Sequence, residues 1–221
     1  FPDPVIYFTD MVSGPRTGNT DISLGQTSGQ NGAIVTIWGR NLDNGTVYCN
    51  GAASVYYYYR GNAVQPADLY TFHQMQMICF QINHTALDGN GAIYVVANGK
   101  QSNTLSFTVR SGNIYFVKTT GNDVTGNGIW SNPWRTIIKA KDALAPGDIA
   151  YICNSVDQTT ETEFGASVNL GTDGQAGNPK SLIVYPGAVS RVGNPNIGRA
   201  FHVFNQDSNR SSIHWVISKF T

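Results

Sequence analysis

The sequence predicts an all-β protein, and three observations support this prediction. Gly, Asn, Ser, Thr and Tyr are abundant whereas Glu, Lys and Leu are sparse, which is the residue usage of short strands joined by tight turns. Short apolar runs recur along the chain, and clusters of Gly, Asn and Asp separate them. Only one brief segment has the pattern of an amphipathic helix. The 221 residues are enough for one large domain or two of ordinary size.

The charge balance excludes two classes of partner. Charged residues make up 13% of the chain, and the formal net charge is zero. Such a protein is not drawn electrostatically to nucleic acid or to an anionic membrane surface. No run approaches the roughly 20 apolar residues that a membrane-spanning helix needs. We therefore predict neither nucleic-acid binding nor membrane insertion.

Residues 1–110 contain seven short strand-like runs, beginning with "PVIYF" and ending with "LSFTV". Runs that recur at intervals of roughly ten to fifteen residues predict a two-sheet β-sandwich. The order of "GAIVTIWGRNL", "VYCNG", "ICFQI" and "GAIYVVANGKQSNTLSFTV" resembles the TIG/IPT family of immunoglobulin-like domains. This resemblance covers nearly the whole first half and implies an immunoglobulin-like β-sandwich. Domains of that family are mostly spacers, dimerisation surfaces or binding modules.

The cysteines of the first half leave two alternatives. Cys49 and Cys79 lie in strand-like segments and would pair in a disulfide, leaving Cys153 over, or would remain as two buried thiols. The TIG/IPT resemblance places both cysteines near positions where some members carry a bridging pair. The closely spaced Cys and His ligands of a zinc site do not occur in the sequence.

Residues 111–221 begin with a strand, a turn cluster and the one helical pattern. "YFV" predicts a strand, and "GNDVTGNG" predicts turns. The helix is predicted to start with Asn132 as N-cap and Pro133 at the first helical position. Its apolar face would consist of Trp134, Ile137, Ile138 and Leu144. A short helix of this kind before the strand "DIAYIC" would cover the open end of a β-stack.

The remaining strand-like runs are "SLIVYPG" (181–187), "AFHVFNQ" (200–206) and "IHWVISKFT" (213–221). Strands at this spacing, without helices between them, suit successive coils of a parallel β-helix. From Tyr115 onwards the chain resembles the N-terminal cap and first rungs of right-handed β-helix proteins of the pectate-lyase superfamily. That resemblance implies action on extracellular polysaccharides, typically by calcium-assisted elimination from uronates. Because the family's catalytic groups project from central rungs, it assigns no catalytic residue to this chain.

Aromatic side chains are the main candidates for binding. Strand alternation in "VYYYYR" would send Tyr56 and Tyr58 to one face and Tyr57 and Tyr59 to the other, so one pair would be exposed. Exposed aromatic rings stack on sugars or bury against a protein partner, although strands are rich in Tyr in any case. Trp130 either packs in the cap or stacks on a ligand.

Two carboxylates are the candidate metal ligands. Glu161 and Glu163 would face the same way on an extended segment and bind calcium or act as an acid and base, the alternative being a solvated loop. No cofactor is evident from the residues themselves, and calcium follows only from the family resemblance.

Two hypotheses about function follow from the sequence. In the first, the chain is the N-terminal part of a secreted, polysaccharide-directed β-helix protein, with any lyase activity residing in rungs beyond Thr221. In the second, it is a non-catalytic structural or adhesive protein that assembles with other copies of itself through its β-helix end. Both hypotheses imply an extracellular or cell-surface location.

Overall fold

The computed structural model describes residues 1–64, 66, 68–205, 210–211 and 214–221, without the side chains of 204–205 and 210–211. The chain is all-β, as predicted, and divides into two compact units, Phe1–Ser111 (unit 1) and Gly112–Thr221 (unit 2). Within the described ranges, no helix has both the length and the apolar character needed to cross a membrane.

Unit 1 is a sandwich-like arrangement of two sheets. Its elements are β1 (Val5–Thr9), β2 (Ser13–Gly14), β3 (Ile34–Arg40), β4 (Thr46–Cys49), β5 (Ala52–Ala53), β6 (Tyr57–Asn62), α1 (Asp68–His73), β7 (Gln76–Gln81), β8 (Gly89–Ala97), β9 (Lys100–Gln101) and β10 (Leu105–Val109). The first sheet has the order β1-β3-β7-β6, and the second has the order β2-β10-β8-β4-β5 with β9 paired to β8. All seven predicted runs contain a strand, whereas α1 and the short strands β2, β5 and β9 were not predicted.

The central strands of the first sheet, β3 and β7, are buried on both faces. Trp38 lies opposite Met77 and Thr36 lies opposite Cys79, so these side chains share one face of the sheet. On that face, Trp38, Ala63, Met77 and Cys79 form a buried cluster, here called the Trp38 cluster. Val35, Ile37, Ile78 and Phe80 point to the other face and are also completely or almost completely buried.

The predicted bridge between Cys49 and Cys79 is wrong, because neither cysteine forms a disulfide. Cys49 lies on β4 in the second sheet, whereas Cys79 lies on β7 in the first. The side chain of Cys79 belongs to the Trp38 cluster, and its Sγ lies 3.4 Å from Oγ1 of Thr36. Both cysteines are therefore buried thiols, which was the alternative left open by the sequence.

Unit 2 is built around a parallel sheet. Its elements are β11 (Ile114–Val117), α2 (Ile137–Ala143), β12 (Ile149–Ile152), β13 (Ala166–Asn169), β14 (Lys180–Val184), β15 (Arg199–His202), β16 (Phe204–Asn205), β17 (Arg210–Ser211) and β18 (Trp215–Ser218). Strands β11, β12, β14 and β18 pair in that order, and all three pairings are parallel. Strands β13 and β15 form a second parallel pair. Of the predicted runs, Gln206 and Ile213 lie outside the described residues.

Residues 33 to 35 positions apart in the sequence contact each other along unit 2. Oδ1 of Asn154 accepts from the backbone N–H of Val189, 35 residues later. His202 Nδ1 lies 3.2 Å from Oδ1 of Asn169, 33 residues earlier in the chain. Contacts at a nearly constant sequence separation show that successive segments of the chain lie above one another in register.

The helix of unit 2 begins later than predicted. Its N-cap is Thr136, whose Oγ1 accepts a 3.1 Å hydrogen bond from the backbone N–H of Lys139, and not Asn132. The reason is that Trp134 forms an isolated parallel bridge beside β11: its N–H donates to the carbonyl of Phe116, and its carbonyl accepts from the N–H of Lys118. A residue held in such a bridge has extended and not helical backbone angles. Helix α2 packs Ile137, Ala140 and Leu144 into the buried core of unit 2.

Candidate functional site

Four consecutive tyrosines of unit 1 line an open groove of about 550 Å³. The groove, here called the tyrosine groove, is lined by Leu24, Val55, Tyr56, Tyr57, Tyr58, Tyr59 and Arg60. Strand β6 supplies most of these residues and ends the order of the first sheet. The groove thus lies along the edge strand of that sheet.

The predicted alternation of the tyrosines is wrong. Tyr57 pairs with Phe80 and Tyr59 pairs with Cys79, so the register shifts by one residue and Tyr58 is the extra residue of a β-bulge. Tyr58 and Tyr59 consequently both pack against the Trp38 cluster. All four tyrosines are half-buried, in place of one buried and one exposed pair.

Hydrogen bonds fix three of the four tyrosine hydroxyls. The hydroxyl of Tyr57 accepts from the backbone N–H of Val47 at 3.0 Å, and that of Tyr59 donates to the carbonyl of Asn62 at 2.7 Å. The hydroxyl of Tyr58 donates to Oδ2 of Asp21 at 2.8 Å and accepts from Nε2 of Gln26 at 3.2 Å. Because these contacts hold the hydroxyls, the orientation of the rings is set before any ligand arrives.

A cation completes the tyrosine groove. The guanidinium carbon of Arg60 lies 3.4 Å from the centroid of the Tyr57 ring, a close cation–π contact. Arg60 is exposed, so its N–H donors face solvent next to the aromatic surface. The groove therefore offers flat apolar surface and hydrogen-bond donors side by side.

Trp130 lies in unit 2 and packs against other aromatic residues. Its ring meets Phe116 edge-on with 5.0 Å between centroids and lies 5.6 Å from the ring of Tyr185. Nζ of Lys118 lies 3.1 Å from the centroid of the Trp130 ring and donates to the Trp130 carbonyl. Trp130 and Tyr185 also line an open groove of about 360 Å³. Trp130 thus packs against other aromatic residues and also borders a groove, so the structure is compatible with both alternatives for this residue.

Glu161 and Glu163 are exposed, and each accepts a hydrogen bond from a residue four to six positions later. Oε1 of Glu161 accepts from the backbone N–H of Gly165, and Oε2 of Glu163 accepts from the side-chain amide of Asn169. In the part of the chain that the structure describes, no three His, Cys, Asp or Glu side chains are grouped as metal ligands. The two glutamates thus hydrogen-bond locally, Glu161 to the turn at Gly165 and Glu163 to the last residue of β13.

Several contributors to these sites were not predicted. Arg60 follows the tyrosine run directly, and a cation next to aromatic residues in the sequence could have indicated the cation–π contact. Asp21 and Tyr58 are 37 residues apart in sequence, and no local sequence pattern predicts their contact. Tyr185 ends the run "SLIVY", where its sequence context indicates only a strand.

Comparisons with known proteins give partial structural similarities. No protein-family model matches the chain, and no curated protein matches it. A solved structure described as the complex of XylC with xylose is similar at a TM-score of 0.30 and 20% identity, covering 36% of this chain and 11% of that one. A rhamnogalacturonan lyase is similar at a TM-score of 0.36 and 18% identity, covering 48% of this chain and 27% of the lyase. The chain therefore spans far less than two thirds of either protein.

Proposed function

We propose that the chain binds a polysaccharide at the tyrosine groove. The observation that carries this proposal is a run of four half-buried tyrosines that line one groove while internal hydrogen bonds hold three of their hydroxyls. The C–H faces of a sugar ring are apolar and flat, so they pack well on aromatic rings. The hydroxyls at the sugar's rim need donors and acceptors, and Arg60 supplies donors beside the rings.

Preorganisation of the tyrosines suits a binding function. A ligand that orders mobile side chains loses roughly 0.5–1.5 kcal/mol of binding free energy for each one. In the tyrosine groove this cost is small, because Tyr57, Tyr58 and Tyr59 are already held by contacts within unit 1. A weakly interacting partner such as a sugar gains most from such a surface.

The architecture of the two units fits a polysaccharide-directed protein. In this proposal unit 1 is a TIG-like binding module, and unit 2 consists of coils of a right-handed parallel β-helix. The parallel pairing of β11, β12, β14 and β18 and the stacked contacts 33 to 35 residues apart support the second assignment. The substrate class implies that the protein acts outside the cell or at its surface.

The proposal is tested by measuring binding to a panel of neutral and acidic polysaccharides with affinity electrophoresis and calorimetry. The Tyr56→Ala variant is expected to weaken binding about tenfold, because it removes aromatic surface from the groove. Tyr7→Ala is the matched control, since Tyr7 is 44% exposed on β1, at the opposite edge of the same sheet. Absence of binding to every polysaccharide, or equal loss in both variants, would refute the proposal.

Self-association is the second candidate function, and the position of β18 favours it. Strand β18 ends the order of the parallel sheet, and Trp215 to Ser218 are half-buried. Edge strands with apolar side chains recruit further strands unless they are protected. Sedimentation velocity over a wide range of concentrations tests this function: a concentration-independent monomer contradicts it, and a growing series of oligomers supports it.

A further inference from the structure

The tyrosine groove continues into two further concavities along β6. A small one of about 70 Å³ is lined by Leu42, Asp43, Asn44, Arg60, Gly61 and Gln76. The other, of about 610 Å³, is lined by Arg40, Asn41, Asn62, Tyr70, Gln74 and Gln76. Arg60 is shared by the tyrosine groove and the small concavity, and Gln76 is shared by the small concavity and the large one. The three concavities are therefore neighbours along the edge strand, and they are here together called the trough.

The chemistry of the trough changes along its length. One end is lined by the four tyrosines, whereas the far end is lined by Arg40, Asn62, Gln76 and Tyr70. These polar groups are also held in place: Nη2 of Arg40 donates to the carbonyl of His73 at 2.6 Å, and Oε1 of Gln76 accepts from the N–H of Leu42 at 2.6 Å. The amide nitrogen of Gln76 also donates to Oδ1 of Asp43, so the far end is a polar surface of fixed geometry, and Tyr70 adds one aromatic residue to it.

We propose that this trough binds an extended oligosaccharide segment, with sugar rings stacked at the tyrosine end and sugar hydroxyls hydrogen-bonded at the amide end. The inference rests on the proposed saccharide binding and adds the length and the polarity of the bound segment. Strand β6 contains six residues, which at about 3.3 Å per residue spans roughly 20 Å. That length exceeds one sugar ring and accommodates several linked ones.

An extended peptide is the competing occupant of an edge strand, and two features of β6 disfavour it. The bulge at Tyr58 interrupts the regular spacing of backbone groups that an added strand would need. In addition, the carbonyl of Asn62 already accepts the hydroxyl of Tyr59 at 2.7 Å. Neither feature hinders a saccharide, because a saccharide would contact the side chains of the protein and not pair with the backbone of β6.

The test uses calorimetry with oligosaccharides of increasing length, prepared from a polysaccharide that binds the unmodified chain. Affinity is expected to rise with length until the trough is filled. The Tyr70→Ala variant is expected to weaken binding of the long oligosaccharides about tenfold while leaving the shortest ones unaffected. Tyr7→Ala is a closely matched control, because Tyr7 and Tyr70 are 44% and 43% exposed.

The outcomes separate this inference from the proposed function. Binding that is independent of oligosaccharide length and unchanged in Tyr70→Ala would refute the trough as an extended binding site. The tyrosine groove would remain as the site of saccharide binding. Length-dependent binding of extended peptides, with no such dependence for oligosaccharides, would overturn the trough as a saccharide site. If no saccharide binds the unmodified chain, both the proposed function and the trough are refuted.

Discussion

The hydroxyl of Tyr58 donates a 2.8 Å hydrogen bond to Oδ2 of Asp21, whose side chain is completely buried. The same hydroxyl accepts from Nε2 of Gln26, which is 3% exposed. Through these contacts, the bulged residue of β6 is attached to the segment that precedes β3. The shape of the tyrosine groove thus depends on a contact between distant parts of the sequence.

Removing the Tyr58 hydroxyl should destabilise unit 1. We expect Tyr58→Phe to lower the free energy of unfolding by about 1–3 kcal/mol, because a buried carboxylate oxygen loses a donor. Tyr59→Phe is the control, since its hydroxyl bonds to an exposed carbonyl and its loss should cost about 0.5–1 kcal/mol. Urea denaturation monitored by fluorescence compares the two variants. Equal stability of the two variants would contradict the structural role of the Asp21 contact.

The three cysteines should differ in their reactivity. In the folded protein at pH 8 we expect alkylation at the half-buried Cys153, whereas the buried Cys49 and Cys79 should remain unmodified. Burial raises the pKa of the Cys49 thiol to about 12, so little reactive thiolate is present. Mass spectrometry after unfolding without reductant should then show all three cysteines modified. Modification of Cys49 and Cys79 only after reduction would reinstate the disulfide.

The same burial predicts a pH dependence of stability. Since the pKa of Cys49 is about 12 in the folded state and near its ordinary value of 9.0 in the unfolded state, the unfolded chain ionises first. The contribution of Cys49 is therefore complete below pH 9 and is lost as the pH rises towards 12, by about 1.4 kcal/mol per pH unit. Denaturation of the unmodified chain and Cys49→Ala at pH 8 and pH 10 measures this change. A difference between the two proteins that does not shrink at pH 10 would argue against it.

The start of helix α2 is tested by a pair of substitutions. Thr136→Ala should destabilise unit 2 by about 1 kcal/mol, because the N-cap hydroxyl accepts from Lys139 and also donates to Asp123 at 2.7 Å. Asn132→Ala should change stability by less than about 0.5 kcal/mol, since its amide makes an exposed 3.2 Å contact to Thr125. Thermal unfolding followed by circular dichroism compares them, and a larger effect at Asn132 would restore the earlier helix start.

Trp130 should contribute to stability and not to saccharide binding in the tyrosine groove. Trp130→Ala removes contacts with Phe116 and Tyr185 and is expected to cost about 3 kcal/mol of unfolding free energy, the low end for a tryptophan because Trp130 is half-buried. Calorimetry should show unchanged saccharide affinity in this variant. A loss of saccharide affinity without a change in the free energy of unfolding would indicate that the saccharide binds in the groove beside Trp130 and not in the tyrosine groove.

The strands were more predictable than the contacts between them. Alternating apolar runs located the seven main strands of unit 1 because side-chain alternation is a local property of the strand. The short strands β2, β5 and β9 contain two residues each, which is too few for any period to be visible. The first strand of the second parallel pair, β13, was missed because "ASVN" has little apolar contrast with its surroundings.

The candidate site was only partly predictable. The tyrosine run was correctly singled out as a surface of interest, but regular alternation assigned its side chains to the wrong faces. A bulge arises from the register in which β6 pairs with β7, and that register cannot be predicted from the sequence of β6 alone. The three-part trough likewise combines residues of β3, β6, β7, α1 and their loops, which approach one another only after folding.

By itself, the sequence determined that this protein is all-β and where its principal strands lie, because composition and side-chain period act over a few neighbouring residues. Only the tertiary structure decided that Cys49 and Cys79 remain thiols, that the helix begins after Thr136 and that the tyrosines share one groove. Each of these outcomes depends on a partner distant in sequence: the Trp38 cluster around Cys79, the backbone of Phe116 and Lys118, and the carboxylate of Asp21. Such contacts are selected by the packing and hydrogen bonding of the whole unit, which local propensity does not encode.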